Sequence, residues 1–369
     1  MKNGDLLSNL RKKIDGLDRS ILELLLRRAE LVGQIGGIKR ESGLPIWDPE
    51  RELKLLAALA AESRWPLPAE AIERIFAAII DACRQLQGPA RVAFLGPEAT
   101  FCHTAAQKHF GAASSYLPQN SIRQVFREVE SERADFGVAP VENSSEGMVG
   151  QTLDLLLKSN VKISGEVYLR VSHALLSREK DLKNVRTVLS HPQALGQCLE
   201  WLAQNLPSGG LVAMSSTAAA AGRAAEEPES AAIGHEKLAQ IHGLNVLARD
   251  IQDRSSNLTR FLVLSLKDHP ATGRDKTSLW FAAPHKPGSL YRCLKPLAEA
   301  SINLTRIESR PAENQVWEYV FFLDLEGHAQ DGTVRSALAA LAEQAVNMVV
   351  LGSYPRADAT GNNGPRAVS

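Results

Sequence analysis

The chain has 369 residues, 44% of them apolar, and its 42 acidic residues are balanced by 42 basic ones. That length exceeds one ordinary domain, so two or three packed domains are expected. The charge balance argues against nucleic acid or another polyanion as the main partner. The four cysteines (Cys83, Cys102, Cys198 and Cys293) lie far apart with no CxxC pair, which points to a reducing cytoplasm rather than to disulfides or a metal. The first residues, MKNGDLLSNLRKKIDGLD, have no apolar leader core, and no stretch approaches a membrane-spanning length.

Residues 1–88 read as helix throughout. Leu10, Ile14, Leu17, Ile21, Leu24, Leu25, Leu31 and Ile35 recur at three-to-four spacing, predicting one helix of more than thirty residues. SGLP at 42–45 breaks it. A second helix begins at DPERE, with Asp48 as N-cap and Pro49 at the first helical position, and a third runs from Pro68 to Gln87. Such a segment has a thin core of its own, and dimerisation is the natural way to bury the long helix. Within that helix GQIGGIK, 33–39, looks at first like a phosphate loop. A phosphate loop needs a strand before it, however, and helix continues on both sides here. The glycines, each costing about 1 kcal/mol against alanine, are better read as a thinned stretch that presents Lys39.

Helix geometry then constrains the cations. Arg28 and Lys39 are eleven residues apart, so they lie within about 20° of one another and about 16 Å apart along the axis. Arg11 is about 25 Å from Arg28 and turned by about 100°, so it cannot serve the same pocket from the same helix. This set, with Asp48, Arg51, Glu52 and Gln87, resembles the all-helical chorismate mutases. The resemblance implies that Arg28 binds a substrate carboxylate in its own pocket and Arg11 does so in a partner's. It implies that Lys39 and Gln87 donate to the ether oxygen, and that Asp48, Arg51 and Glu52 hold the enolpyruvyl side and the hydroxyl. Cys83 stands where this branch often has serine, so one carboxylate contact has a weaker donor. A [3,3] rearrangement needs fixed charges and a compact conformer, with no nucleophile or metal.

From Arg91 the pattern changes to short strands alternating with helices, an α/β layer structure. RVAFLG, DFGVAPVE, VKISGEVYL, VRTVLSHP, GLVAMSS, AAIG and TRFLVLSL read as the strands. Polar residues gather where strands feed helices, in GPEATF, PVENSSEG, SHPQALGQC and SSTAAAAG, followed by NLTRF. Helix N-termini with spare N–H groups suit a small dicarboxylate. These motifs resemble the prephenate dehydratase domain over about residues 91–267, which implies a two-lobed fold like the periplasmic binding proteins. The resemblance makes Thr259 the proton donor to the departing hydroxyl. Asn143, Ser190, Gln193 and Gln197 would orient the carboxylates and ring, Thr100, Ser215 and Thr217 would serve as helix-end donors, and Arg260 would add a substrate contact. Threonine is a weak acid unaided, and Glu142 could help or hinder it. The neighbours Cys102 and His103 point about 100° apart on a helix, and His191 with Cys198 reads as packing.

After the polar KDHPATGRDK linker, residues 277–356 show the βαββαβ order of a ferredoxin-like domain. The stretch resembles the ACT regulatory domain. That resemblance assigns phenylalanine to Gly288, Ser289 and Leu290, and to ESRP, which is Glu308, Ser309, Arg310 and Pro311. Ser289 and Tyr291 depart from the commoner G-A-L-V. Residues 357–369 read as a disordered tail.

Together the three segments resemble the fused chorismate mutase–prephenate dehydratases of phenylalanine biosynthesis. No cofactor or metal is implied; chorismate and prephenate are the substrates, phenylalanine the inhibitor, and a homodimer or higher oligomer the working form. A dehydratase acting on arogenate, or a non-catalytic sensor of aromatic acids, are the other readings open at this point.

Overall fold

The structure is a computed structural model and describes residues 2–42, 49–64, 66–84, 86, 89–111, 114–145, 147–254, 257–311 and 319–357. The chain divides into two compact units, the first built on Met1–Ala90 and the second beginning at Arg91.

The first unit is helical, as its apolar spacing requires. Helix α1 (Lys2–Glu41) runs unbroken for 40 residues, about 60 Å, and α2 (Pro49–Ala61) and α3 (Ala69–Arg84) follow. Pro49 is the first residue of α2, where a missing N–H costs no helical hydrogen bond. Helix α3 packs on both α1 and α2. GQIGGIK lies wholly inside α1, so the phosphate-loop reading is excluded. A Cβ built on Gly33 or Gly37 meets nothing within 4 Å, so no close neighbour among the described residues requires either glycine.

The second unit opens with β1 (Arg91–Leu95), α4 (Phe101–Phe110), β2 (Ser115–Gln119), α5 (Ile122–Glu130), β3 (Phe136–Asn143), β4 (Gly147–Met148), α6 (Gly150–Leu156) and β5 (Lys162–Arg170). Helix α5 illustrates the local logic. Ser121 caps it by accepting the Gln124 N–H, and Ile122, Val125, Phe126 and Val129 form its buried stripe. The chain then builds a second sheet from β6 (Ala174–Ser177), β7 (Thr187–Ser190), β8 (Gly210–Ala213), β9 (Ser230–Gly234) and β10 (Asn245–Ala248). Its helices are α7 (Pro192–Gly196), α8 (Leu199–Asn205), α9 (Thr217–Glu226) and α10 (Lys237–His242). Finally β11 (Leu258–Ser265) returns to the first sheet, antiparallel to both β3 and β5. The sheet orders are β2-β1-β3-β11-β5, with β4 on β3, and β10-β6-β9-β7-β8. These are two α/β lobes joined by two crossings, one at 171–173 and one between β10 and β11, described at 249–254 and at 257. The crossings are tied together: the Ile251 N–H donates to the His173 carbonyl at 3.0 Å, and Val171 N–H to the Asn257 carbonyl at 2.8 Å.

Four described strands escaped the sequence reading: β2, β4, β6 and β10. Strand β2 contains Pro118 and lies at a sheet edge, where a missing N–H is tolerated.

The C-terminal sheet comprises β12 (Asp275–Ala282), β13 (Leu304–Pro311), β14 (Tyr319–Glu326) and β15 (Asn347–Pro355), with α11 (Ser289–Glu299) and α12 (Gly332–Gln344) as its helices. Its order β13-β14-β12-β15 is the ferredoxin-like one. Both faces are covered. One packs Leu279, Phe281, Leu323 and Leu325 on α11 and α12. The other sends Val320, Phe322, Leu351 and Tyr354 into the core that Leu153, Leu156, Ile163 and Leu262 form in the first lobe. Gly352 marks the closest approach: a Cβ there would lie 2.1 Å from the Ile163 carbonyl oxygen, so only glycine lets β15 reach β5. The tail expected to be disordered from 357 lies, apart from Ala357, outside the described residues.

Candidate functional site

The strand ends and crossings of the two lobes bring five polar side chains into one continuous chain of hydrogen bonds. Asn143 ends β3 and Thr259 is the second residue of β11, and the two are register partners. Asn143 Nδ2 donates to Thr259 Oγ1 at 2.8 Å and to Asn257 Oδ1 at 2.9 Å. Asn257 Nδ2 donates to Gln197 Oε1 at 3.0 Å, and His173 Nε2 lies 2.8 Å from that same oxygen.

One backbone group sets the direction of the whole chain. The Ser145 N–H can only donate, and it donates to Asn143 Oδ1 at 2.9 Å. Asn143 must therefore present its NH2 to Thr259 and Asn257, Asn257 its NH2 to Gln197, and His173 a protonated Nε2 to Gln197. Thr259 consequently receives a hydrogen bond from an amide while keeping its own proton to give away. Thr259, Asn257 and His173 are all buried, where such bonds strengthen one another. Beside this chain the Phe101 ring meets His173 and His235 edge-on, with centroids 5.5 and 5.4 Å away.

The other expected residues of this region divide. Gln197 joins the chain. Ser190 is fully buried and donates to the Ile233 carbonyl at 2.7 Å, joining β7 to β9. Gln193 is exposed on the first turn of α7, its backbone N–H donating to the His191 ring. Thr100 caps α4, accepting the His103 N–H and donating to the Leu95 and Pro97 carbonyls. For α9 the cap is Ser216, which accepts the Ala219 N–H; Thr217 is the first helical residue and Ser215 is exposed. Arg260 must be corrected as a substrate contact. Successive strand residues face opposite ways, and its guanidinium is buried on the far side, bonded to Glu166, Asp324 and Tyr354. Glu142 likewise faces away from Asn143 and pairs with Arg306 at 3.4 Å.

Neither cysteine pairing forms a nucleophile. Burial pushes the Cys102 thiol up to about 12, while His103 accepts the Ala99 N–H and stacks on Phe94. Burial, with Asp253 nearby, also raises Cys198 to about 12, and His191 caps α7. Among the described residues no group of three His, Cys, Asp or Glu side chains could hold a metal ion.

In the first unit Leu7, Leu10, Ile14, Leu17, Ile21, Leu24, Leu31 and Ile38 are all about half exposed or more. Arg28 and Ile35 complete the strict alternation of three and four, the period of a helix–helix seam. Arg28 is thus the charged member of an otherwise apolar stripe. It is half-buried, and among the described residues its buried Nη1 makes no hydrogen bond. Lys39 and Glu52 are half-buried, Arg11 and Arg51 exposed, and Cys83 buried. Asp48 and Gln87 lie outside the described residues.

In the C-terminal sheet Gly288 takes the left-handed conformation (φ 75°) that opens α11. Ser289 and Leu290 line a cavity of about 370 Å³ together with His285, Tyr319 and Phe321. The ESRP residues part company. Ser309 and Pro311 pair with Phe321 and Tyr319 and share the cavity face. Arg310 turns the other way, pairing with Asp154 at 3.0 Å and pressing on Gly150, and Glu308, two residues before it, shares that face, opposite Phe322. Arg310 and Glu308 as ligands of this cavity are therefore corrected.

Sequence reasoning passed over His173, Asn257 and Phe101. Asn257 is the first letter of NLTRF and was within reach. His173, in VSHALLS, carries no local signal because its partners arrive only when the crossings meet.

Residues 10–88 match the family model for chorismate mutase type II, 92–269 that for prephenate dehydratase, and 281–343 that for the ACT domain. The chain thus joins two enzymatic domains to a regulatory one. A bifunctional chorismate mutase/prephenate dehydratase of Aquifex aeolicus (strain VF5) is 46% identical over 355 residues, covering 95% of this chain and 98% of the relative. Among solved structures, a prephenate dehydratase from Arthrobacter aurescens in complex with L-Phe is 35% identical, with a TM-score of 0.67, and covers 75% of this chain and 92% of that one. A chain described as a quorum quenching acylase, GqqA, is 30% identical with a TM-score of 0.65, over 72% of this chain and 97% of that one. The chain belongs to the bifunctional chorismate mutase/prephenate dehydratase family.

Proposed function

We propose that the chain converts chorismate to prephenate in residues 1–88 and prephenate to phenylpyruvate in residues 91–267, under control of phenylalanine bound at residues 277–356. The observation that carries the dehydratase half is Thr259, held by the Asn143 amide with its own O–H left to donate. As the ring carboxylate leaves as CO2, its bonding electrons flow into the ring and expel the C4 hydroxyl. That hydroxyl takes the Thr259 proton and departs as water, and solvent returns a proton to the threonine. The Asn143 donor stabilises negative charge on Thr259 Oγ while this happens, which makes the hydroxyl a better acid. Gln197 and Asn257 hold the amide chain in register, and Phe101 offers an apolar edge to the forming aromatic ring. Prephenate is preferred to arogenate because the mutase in the same chain makes prephenate.

In the mutase half, Arg28 and Lys39 project on one side of α1 and Arg11 serves a second copy. Covering a Leu or Ile of the exposed stripe contributes about 1.5–3 kcal/mol, so a homodimer built along α1 is strongly favoured. The cavity lined by Ser289 and Leu290, next to Gly288 and with Ser309 and Pro311 beside it, accepts the inhibitor. No described helix is long and apolar enough to cross a membrane, and a cytoplasmic setting suits both substrates.

The direct test supplies chorismate to the purified protein and follows phenylpyruvate with and without phenylalanine. Phenylpyruvate should form, and millimolar phenylalanine should suppress it; prephenate accumulating undiminished would sink the dehydratase assignment.

A further inference from the structure

The two strands that carry Asn143 and Thr259 each place a charged residue next door, on the opposite face of the sheet. Glu142 and Arg260 are themselves register partners there. Both are held by the C-terminal sheet. Arg260 Nε donates to Glu166 at 2.8 Å, its Nη1 pairs with Asp324 of β14, and its Nη2 donates to the Tyr354 hydroxyl of β15 at 2.9 Å. Lys276 of β12 contacts both Glu166 oxygens at 2.8 Å, and Ser278 bonds both Asp324 and Tyr354. Arg306 of β13 reaches Glu142 at 3.4 Å. Arg260, Glu166 and Lys276 are nearly or fully buried, so two cations and two anions close a neutral cluster away from water.

We propose that Arg260 and Glu142 are positioning residues for the dehydration, held from behind by Asp324, Tyr354 and Arg306, so that the C-terminal sheet sets where Thr259 and Asn143 stand. The route from the ligand cavity is short. Strand β14 carries Tyr319 and Phe321 on the cavity side and Val320, Phe322 and Asp324 on the dehydratase side. A ligand that shifts β14 moves Asp324, and Asp324 holds the residue that follows Thr259. This inference rests on the reading of Thr259 as the proton donor. It goes beyond that reading in giving Arg260, previously a candidate substrate contact, a different task.

Asp324→Asn tests it, with circular dichroism and a thermal melt to establish that the protein is folded. Dehydratase kcat should fall about 10–100-fold, the scale of a small misplacement, while KM for prephenate stays within about threefold. The phenylalanine concentration for half-inhibition should rise about fivefold or more, a typical coupling magnitude. Should Asp324→Asn fail to fold, Arg306→Gln at the better-solvated pair gives the same signature more weakly. A cluster that merely glues the sheets together would lower the melting temperature and leave kcat, KM and the phenylalanine response of the folded protein unchanged. That result, in whichever of the two variants folds, overturns the proposal. A wild-type protein that cannot dehydrate prephenate overturns the reading of Thr259 instead, and the two failures are told apart by the wild-type rate.

Discussion

The two units solve opposite problems with the same chemistry of fixed donors. In the α/β unit every element of the candidate site comes from one chain: the crossings meet, five side chains complete a hydrogen-bonded line, and the surrounding cores are closed. The helical unit leaves a regular apolar stripe in water and sets Arg11 about 25 Å from Arg28. A site can thus be finished by folding alone or, as proposed for the mutase half, be left for a second copy to finish. Which strategy a segment uses is visible in where its apolar surface goes.

The sharpest way to break this contrast is to disable each half separately. Thr259→Val should cut dehydration about 10²–10⁴-fold, the range for a lost general acid, with chorismate consumption intact. Lys39→Ala should lower the mutase rate about 10²–10³-fold, as for a lost oxyanion donor, and spare dehydration of added prephenate. Coupled absorbance assays of the two reactions check both, and crossed losses would contradict the assignment.

The dependence on a second copy is tested by mixing chains. Arg11→Ala and Lys39→Ala homodimers should each be nearly inactive as mutases. Randomly exchanged mixtures should regain about a quarter of the intact sites, since half the dimers are mixed and each has one complete pocket. No recovery after subunit exchange would place Arg11 outside the shared site.

For the self-contained unit, His173→Leu removes the far end of the amide chain and should lower dehydratase kcat about tenfold, within the range for loosening a supporting residue. The mutase rate gives the internal reference.

The smallest effect is on pH. Burial lowers the pKa of both His103 and His235 below the usual 6.5, with Lys237 adding to it for both. A histidine whose folded pKa is depressed stabilises the fold above its unfolded value and loses that contribution as pH falls toward the folded one. The melting temperature of the α/β unit should therefore drop between pH 7 and pH 5, and the slope should be shallower in His103→Gln.

Much of the fold was legible because period dictates structure: the long helix, the βαββαβ order and helix 332–344 all follow from apolar spacing. What escaped has physical causes. Strand β2 hides behind Pro118, and β4, with two residues, is too short to show a period. Of the dehydratase residues, Asn143 bonds Thr259 and reaches Gln197 through Asn257, Thr100 and Thr217 stand at helix starts as read from the sequence, and Ser190 instead joins two strands. The error at Arg260 came from treating neighbours in a motif as neighbours in space, although alternation on a strand sends them to opposite faces. His173 and Asn257 acquire meaning only through contacts between crossings about 80 residues apart, which no local pattern encodes.

A last consequence concerns chain length in β13. Between Leu304 and Arg306 its pairing with β14 shifts register, so that Leu304 faces the helices while Arg306, Glu308 and Arg310 face the first lobe. The irregularity acts as a phase marker. Thr305 is the extra residue there: deleting it would leave Leu304 opposite Leu325 and Arg306 opposite Asp324 as a regular ladder with every face kept, whereas deleting Ile307 would carry Glu308 and Arg310 to the side of Leu323 and Leu325. Substitutions elsewhere in this strand change one contact at a time, whereas the residue count after the bulge decides which face every later side chain takes.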